Sequence, residues 1–111
     1  YMTHLIAKQE TGVDIIPQNE IIYCCTDNGY CCVHSSNNGK IILSMTLHKL
    51  SMKLNSKFIR ISQKYLVNVA LIRKIDKRSK TIILCDGTEL AYTRTNAEMV
   101  ALIEDAFQGA L

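Results

Sequence analysis

The stretch FIRISQKYLVN, residues 58–68, reads as two short β-strands broken by a polar cluster. Phe58, Ile59 and Ile61 lead in, and Tyr65, Leu66 and Val67 lead out. Ser62, Gln63 and Lys64 interrupt an alternation that a plain core strand would continue. A hydroxyl, an amide and an ammonium placed at a strand break form a small set of groups able to reach acceptors on a nucleic acid.

Outward from that break the chain is written in the same short units. THLIAK (3–8) and GVDIIP (12–17) are two brief strands, the second ended by Pro17. EIIYCC (20–25), the turn around Asn28-Gly29, and YCCVHS (30–35) form the clearest hairpin, because Asn-Gly supports the positive φ of a two-residue turn. In that register Cys25 faces Cys32 and Thr26 faces Cys31. The turn at residues 37–39 leads into KIILS (40–44), and turns at 78–79 and 86–87 divide LIRKID, KTIILC and TELAYT. Two helices interrupt the strands. Leu47, Leu50 and Leu54 recur at helical spacing and predict a short helix over residues 46–54. Thr95 followed by Glu98 is a capping-box signature, and Met99, Val100, Ile103, Ala106 and Phe107 form an apolar stripe, so residues 96–108 should be helical. The fold class expected is mainly β: an elongated stack of short antiparallel sheets with two short helices.

The chain has 111 residues, of which 48% are apolar, enough for a single domain over residues 1–111 to bury a core unaided. Its longest apolar runs, such as residues 21–25, span no bilayer and make no secretory leader. A soluble, cytoplasmic protein without membrane contact is expected. The chain starts at Tyr1 and passes at once into strand-like sequence, which suggests the C-terminal part of a longer protein with an upstream domain.

The net charge of +3 is unevenly spread. Residues 40–80 carry eleven Lys and Arg against Asp76 alone, while both flanks are net acidic. A basic block of that density can face a polyanion and bind it by counterion release. It can equally serve an interaction module that docks an acidic partner, which is the alternative reading.

The five cysteines, Cys24, Cys25, Cys31, Cys32 and Cys85, invite a zinc or disulfide reading. Neighbours on a strand point to opposite faces, so each Cys-Cys pair offers one thiolate to any one site, short of a tetrahedral set. The expectation is small apolar fillers, with no metal and no cofactor. Signatures of phosphate-binding loops, dinucleotide folds, hydrolases and zinc proteases are missing from the sequence. Cys32 and His34 share a strand face but lack the third, orienting group of a nucleophilic site. No enzyme is expected.

The order of elements, from EIIYCCTDNGYCCVH through TLHKLSMKL, FIRISQKYLVN, IRKID and DGTEL to YTR and a final helix, resembles the LytTR-type DNA-binding domain of bacterial response regulators. The most specific part is Phe58-x-Arg60-x-Ser62-x-x-Tyr65-Leu66-Val67-Asn68, and the likeness runs over about residues 3–107. It implies a transcription-regulator output domain, part of a two-component system, that inserts loops into successive major grooves of double-stranded DNA in a sequence-specific manner. The contacts it implies fall on Asn28, Tyr30 and Cys31 at the hairpin, on Ser62, Gln63 and Lys64 in the polar loop, with Arg60 beside them, and on Arg94. Separately, Lys57, Arg60 and Lys74 are expected on phosphates. Tyr65 and Asn68 are expected to be structural, the ring in the core and the amide holding a turn. Ser62 stands where the family often has histidine, and Cys31 where some members carry a polar or aromatic reader. The resemblance also implies an upstream receiver or sensor domain, and pairing with a second copy on repeated half-sites is expected.

Overall fold

The computed structural model describes residues 3–37 and 39–108. Asn38, the middle residue of the turn expected at 37–39, lies outside the described residues, as do the ends of the 1–111 domain. Strands β1 (His4–Gln9) and β2 (Gly12–Pro17) pair antiparallel as a separate hairpin. A 3-10 turn (Gln18–Glu20) then feeds β3 (Ile21–Asp27), β4 (Tyr30–Ser35) and β5 (Gly39–Leu43). Helix α1 (Leu47–Ser51) precedes β6 (Phe58–Arg60) and β7 (Tyr65–Asn68). These five strands make the central sheet, in the order β5-β4-β3-β7-β6. After a second 3-10 turn (Val69–Leu71), β8 (Ile72–Asp76), β9 (Thr81–Leu84) and β10 (Glu89–Ala91) form a three-stranded meander, and α2 (Asn96–Gln108) closes the chain. The expected mainly β stack of antiparallel sheets is what forms, 43 × 33 × 24 Å in extent.

Strand alternation gives the central sheet two apolar faces, and each face has its own core. On one side Cys24, Cys31, Val33, Leu43 and Leu66 pack with Leu5, Ala7 and Ile16 of the β1–β2 hairpin and Leu47 and Leu50 of α1. On the other, Ile59 and Val67 pack with Ile82, Leu84 and Leu90 of the meander and Met99 and Ala106 of α2. Leu66 and Val67, adjacent in β7, serve opposite cores, which is what a period of two requires. Burying one such Leu or Ile contributes roughly 1.5–3 kcal/mol. A net hydrogen bond contributes about 1. The cores therefore decide how the three sheets stack.

The Asn28-Gly29 turn has the positive φ values expected, 48° and 84°, and sets the register Thr26↔Cys31 and Cys25↔Cys32. Helix α2 has the bounds expected, with the capping box formed: Glu98 N–H donates to Thr95 Oγ1 at 3.1 Å and Thr95 N–H to Glu98 Oε1 at 3.0 Å. Helix α1 is shorter than the leucine spacing predicts. Thr46 caps it, but Lys53 N–H and Leu54 N–H bond three residues back, to Leu50 and Ser51, so the end tightens into turns. Leu54 still packs against the first core. Phe107 departs from the expected stripe: it is 47% exposed, with Lys57 Nζ 4.7 Å above its ring.

Candidate nucleic-acid interface

At one end of the central sheet, three segments far apart in sequence are tied to one another through the main chain. The loop between β6 and β7 is the hub. Its Lys64 carbonyl accepts from Thr26 N–H at the tip of β3 (3.1 Å), and its Ile61 carbonyl accepts from Thr93 N–H beyond β10 (3.1 Å). Ile61 N–H closes the loop onto the Tyr65 carbonyl.

Within the loop, Ser62 Oγ accepts from both Lys64 N–H and Tyr65 N–H at 3.1 Å. Such a side-chain-to-backbone turn is what hydroxyl residues favour, and it explains why the strand breaks at Ser62. Arg60 then clamps the outside: Nε donates to the Ser62 carbonyl at 2.8 Å and Nη2 to the Gln63 carbonyl at 2.7 Å. Arg94 continues the chain of contacts, its Nε donating to the Arg60 carbonyl at 2.7 Å and its Nη1 lying 3.9 Å from Glu98 Oε2. The Thr95 backbone N–H holds the Glu98 carboxyl below the usual carboxylate range, with Arg94 and Lys80 adding to the effect.

The outcome is an open depression of about 360 Å³ lined by Arg60, Ser62, Gln63, Thr93 and Arg94. Arg60 also lines a second one, of about 290 Å³, shared with Gly29, Tyr30, Thr46 and His48. Gln63 and Lys64 are exposed, and the Gln63 amide has no side-chain hydrogen bond among the described residues. The Gln63 amide and the Arg94 guanidinium line the depression and offer donors and acceptors of the kind that read base edges, while Lys64 Nζ lies 5.4 Å from the Tyr65 ring centre.

A model of the LytTr DNA-binding domain family matches residues 12–103. The chain belongs to this family. The LytTR fold is also that of a solved structure, described as the LytTr DNA-binding domain of a methyl-accepting/DNA response regulator from Bacillus cereus. The two share 18% identity with a TM-score of 0.74, over 94% of this chain and 98% of that one. None of the curated proteins compared matches the chain. As a LytTR domain the protein is a non-catalytic, sequence-specific DNA-binding output module of transcription regulation. No helix among the described residues is long and apolar enough to cross a membrane.

The LytTR chain brings together most residues expected at its interface. Arg60, Ser62, Gln63 and Arg94 share one depression, Lys64 adjoins it, and Asn28 and Tyr30 sit exposed at the hairpin tip tied to it through Thr26. Cys31 is a correction. It is fully buried, its Sγ donating to the Met45 carbonyl at 3.1 Å, and burial pushes its thiol pKa up. Strand alternation turns Tyr30 out and Cys31 in, so only Tyr30 is presented at the surface. Thr93 and His48 were not anticipated at these surfaces. Thr93 reaches the loop by pairing with Ile61, 32 positions away, and no local pattern signals such a contact.

Proposed function

We propose that this domain reads DNA from one end of its central sheet, with the hairpin tip in one major groove and the Ser62–Lys64 loop and Arg94 in the next. The observation that carries this reading is the shared depression of Arg60, Ser62, Gln63 and Arg94, built by segments that only the fold joins. In it Gln63 pairs with adenine, Arg94 and Lys64 reach guanine acceptors, and Asn28 and Tyr30 meet the neighbouring groove. Arg60 is a positioning residue, because its Nε and Nη2 are committed to loop carbonyls, and Ser62 shapes the turn with its hydroxyl. Lys74, exposed on β8, is left to meet phosphates.

A few loop tips give a short footprint, and a genome holds very many competing short sites. Two copies on repeated half-sites multiply selectivity through effective concentration, with the pairing driven by an upstream receiver or sensor domain. Such work on chromosomal DNA is cytoplasmic.

The test is selection of binding sites from a random duplex library, followed by titration of variants on the selected site and on random duplex. Gln63→Ala or Arg94→Ala should cost about 1–3 kcal/mol on the selected site and relax discrimination. An unchanged ratio of the two affinities in both variants would sink the groove-reading assignment. Titration against one and two half-sites tests the pairing, and equal affinity per copy for both refutes it.

A further inference from the structure

The turn between β8 and β9 takes no part in the reading surface, yet it is the most cationic segment of the chain. Residues 73–80 hold Arg73, Lys74, Lys77, Arg78 and Lys80 against one acid, Asp76. That acid is occupied by the turn itself: Asp76 Oδ1 accepts from Arg78 N–H at 3.1 Å and Ser79 N–H at 3.3 Å. Lys77, Arg78 and Lys80 are exposed.

The fold places this turn beside the reading surface. Tyr92 N–H donates to the Lys80 carbonyl at 3.0 Å, and the next residue but one is Arg94. Asn96 Nδ2 contacts the Lys77 carbonyl at 3.5 Å. Arg94 Nη1 lies 3.9 Å from Glu98 Oε2, and the Arg94 and Lys80 charges add to the Thr95 backbone hydrogen bond in holding that carboxyl below the usual carboxylate range. The remaining acids of α2, Glu104 and Asp105, lie about 12 Å further along the helix from Asn96.

From this continuity we propose that the β8–β9 turn is a second binding site, a phosphate clamp that grips the DNA backbone outside the grooves read by the tips. The proposal rests on the groove reading above, which already gives Lys74 a phosphate, and extends that ligand to the Lys77 and Arg78 turn that the reading leaves idle: the phosphodiester groups of flanking duplex. Exposed ammonium and guanidinium groups that meet phosphates and no base edge contribute affinity without sequence preference. The Asp76-anchored turn holds their Cα positions fixed, so little main-chain ordering is needed on binding.

The experiment uses the double variant Lys77→Gln/Arg78→Gln. Lys80 stays unchanged, because its φ of 54° and its packing over Tyr92 make it a structural position. The double variant Lys40→Gln/Lys53→Gln, with the same charge change at the far end of the central sheet, is the control. Thermal melting confirms that both are folded. Affinity is then measured against salt on a duplex selected by the wild-type protein and on random duplex. The turn variant should lower the slope of log K against log salt by about two and weaken binding roughly tenfold on both duplexes alike, leaving their ratio intact. An unchanged slope, or an equal fall in the control, overturns the clamp. A wild-type protein that fails to prefer its selected duplex overturns the groove reading instead, and the slopes on random duplex still decide the clamp.

Discussion

Arg94 Nε donates to the main-chain carbonyl of Arg60 at 2.7 Å, while the Arg60 side chain holds the carbonyls of Ser62 and Gln63. Two arginines in relay thus fix a loop whose Gln63 and Lys64 side chains stay exposed. Arg60→Ala removes two charge-assisted hydrogen bonds, one of them at an exposed carbonyl, and should destabilise the domain by about 1–3 kcal/mol. Arg60→Lys should recover little, because one ammonium on a flexible stem cannot reproduce the planar fork. Urea denaturation of the three proteins checks this, and a lysine variant as stable as wild type would contradict the clamp.

Asn68 makes a complementary prediction inside the molecule. Its amide is buried, Nδ2 donating to the Ile21 carbonyl at 3.0 Å and Oδ1 accepting from Ala70 N–H at 3.0 Å. It locks the start of β3 to the turn that leads out of β7. Asn68→Ala leaves the buried Ile21 carbonyl short of a donor and should cost about 1–3 kcal/mol of stability. Selectivity on DNA, measured under conditions where the variant is fully folded, should stay unchanged.

The elements whose signals are local were legible in the sequence. The Asn28-Gly29 turn fixes its hairpin register through backbone sterics, and the Thr95–Glu98 box and the stripe after it mark α2 at both ends. The polar break at Ser62 was legible as a loop for the same reason. What was illegible depends on partners far along the chain. Arg60 looks like a surface cation, and only the folded loop shows its donors committed to carbonyls. Gln18 is a polar residue in a turn by sequence, but its amide is buried between the first hairpin and the segment after α1, donating to the Lys53 carbonyl and accepting from Asn55 N–H. Cys31 was misplaced because its neighbour Tyr30 is at the tip, and one step along a strand reverses the face.

The cysteines separate by depth. Cys24 and Cys31 line the first core, and burial raises the pKa of both thiols, while Cys85 is exposed beside the 86–87 turn. Alkylation needs an accessible thiolate, so Cys85 should react first and Cys24 and Cys31 only on unfolding. Cys25 is partly buried with a raised pKa and should follow Cys85 slowly. Iodoacetamide labelling followed by mass spectrometry reads the order, and Cys85→Ser should remove the fast phase. Fast labelling at Cys24 in the native protein would mean that the first core opens.

His34 supplies the pH dependence. On β4 its ring stacks on Tyr23 of β3 at 4.2 Å, its Nε2 lies 3.8 Å from Cys25 Sγ, and Lys40 of β5 is its cross-strand partner. Burial first, and the Lys40 charge second, lower its pKa below the ordinary 6.5. The unfolded chain therefore takes up a proton near pH 6.5, where the folded protein still resists one. In the window from 6.5 down to the folded pKa the unfolded state binds more protons, so stability falls as pH falls, and above about pH 7.5 this dependence vanishes. Asp76, Asp86 and Glu98, whose pKa values are lowered, act in a separate and more acidic window, where stability is lost as they protonate. Thermal melts between pH 5 and 7.5 should show a declining midpoint in the wild-type protein, a flatter profile in His34→Gln, and a smaller decline in Lys40→Gln, where one of the two causes is removed. A wild-type profile that is flat, or a decline that persists undiminished in His34→Gln, would assign the dependence to another group.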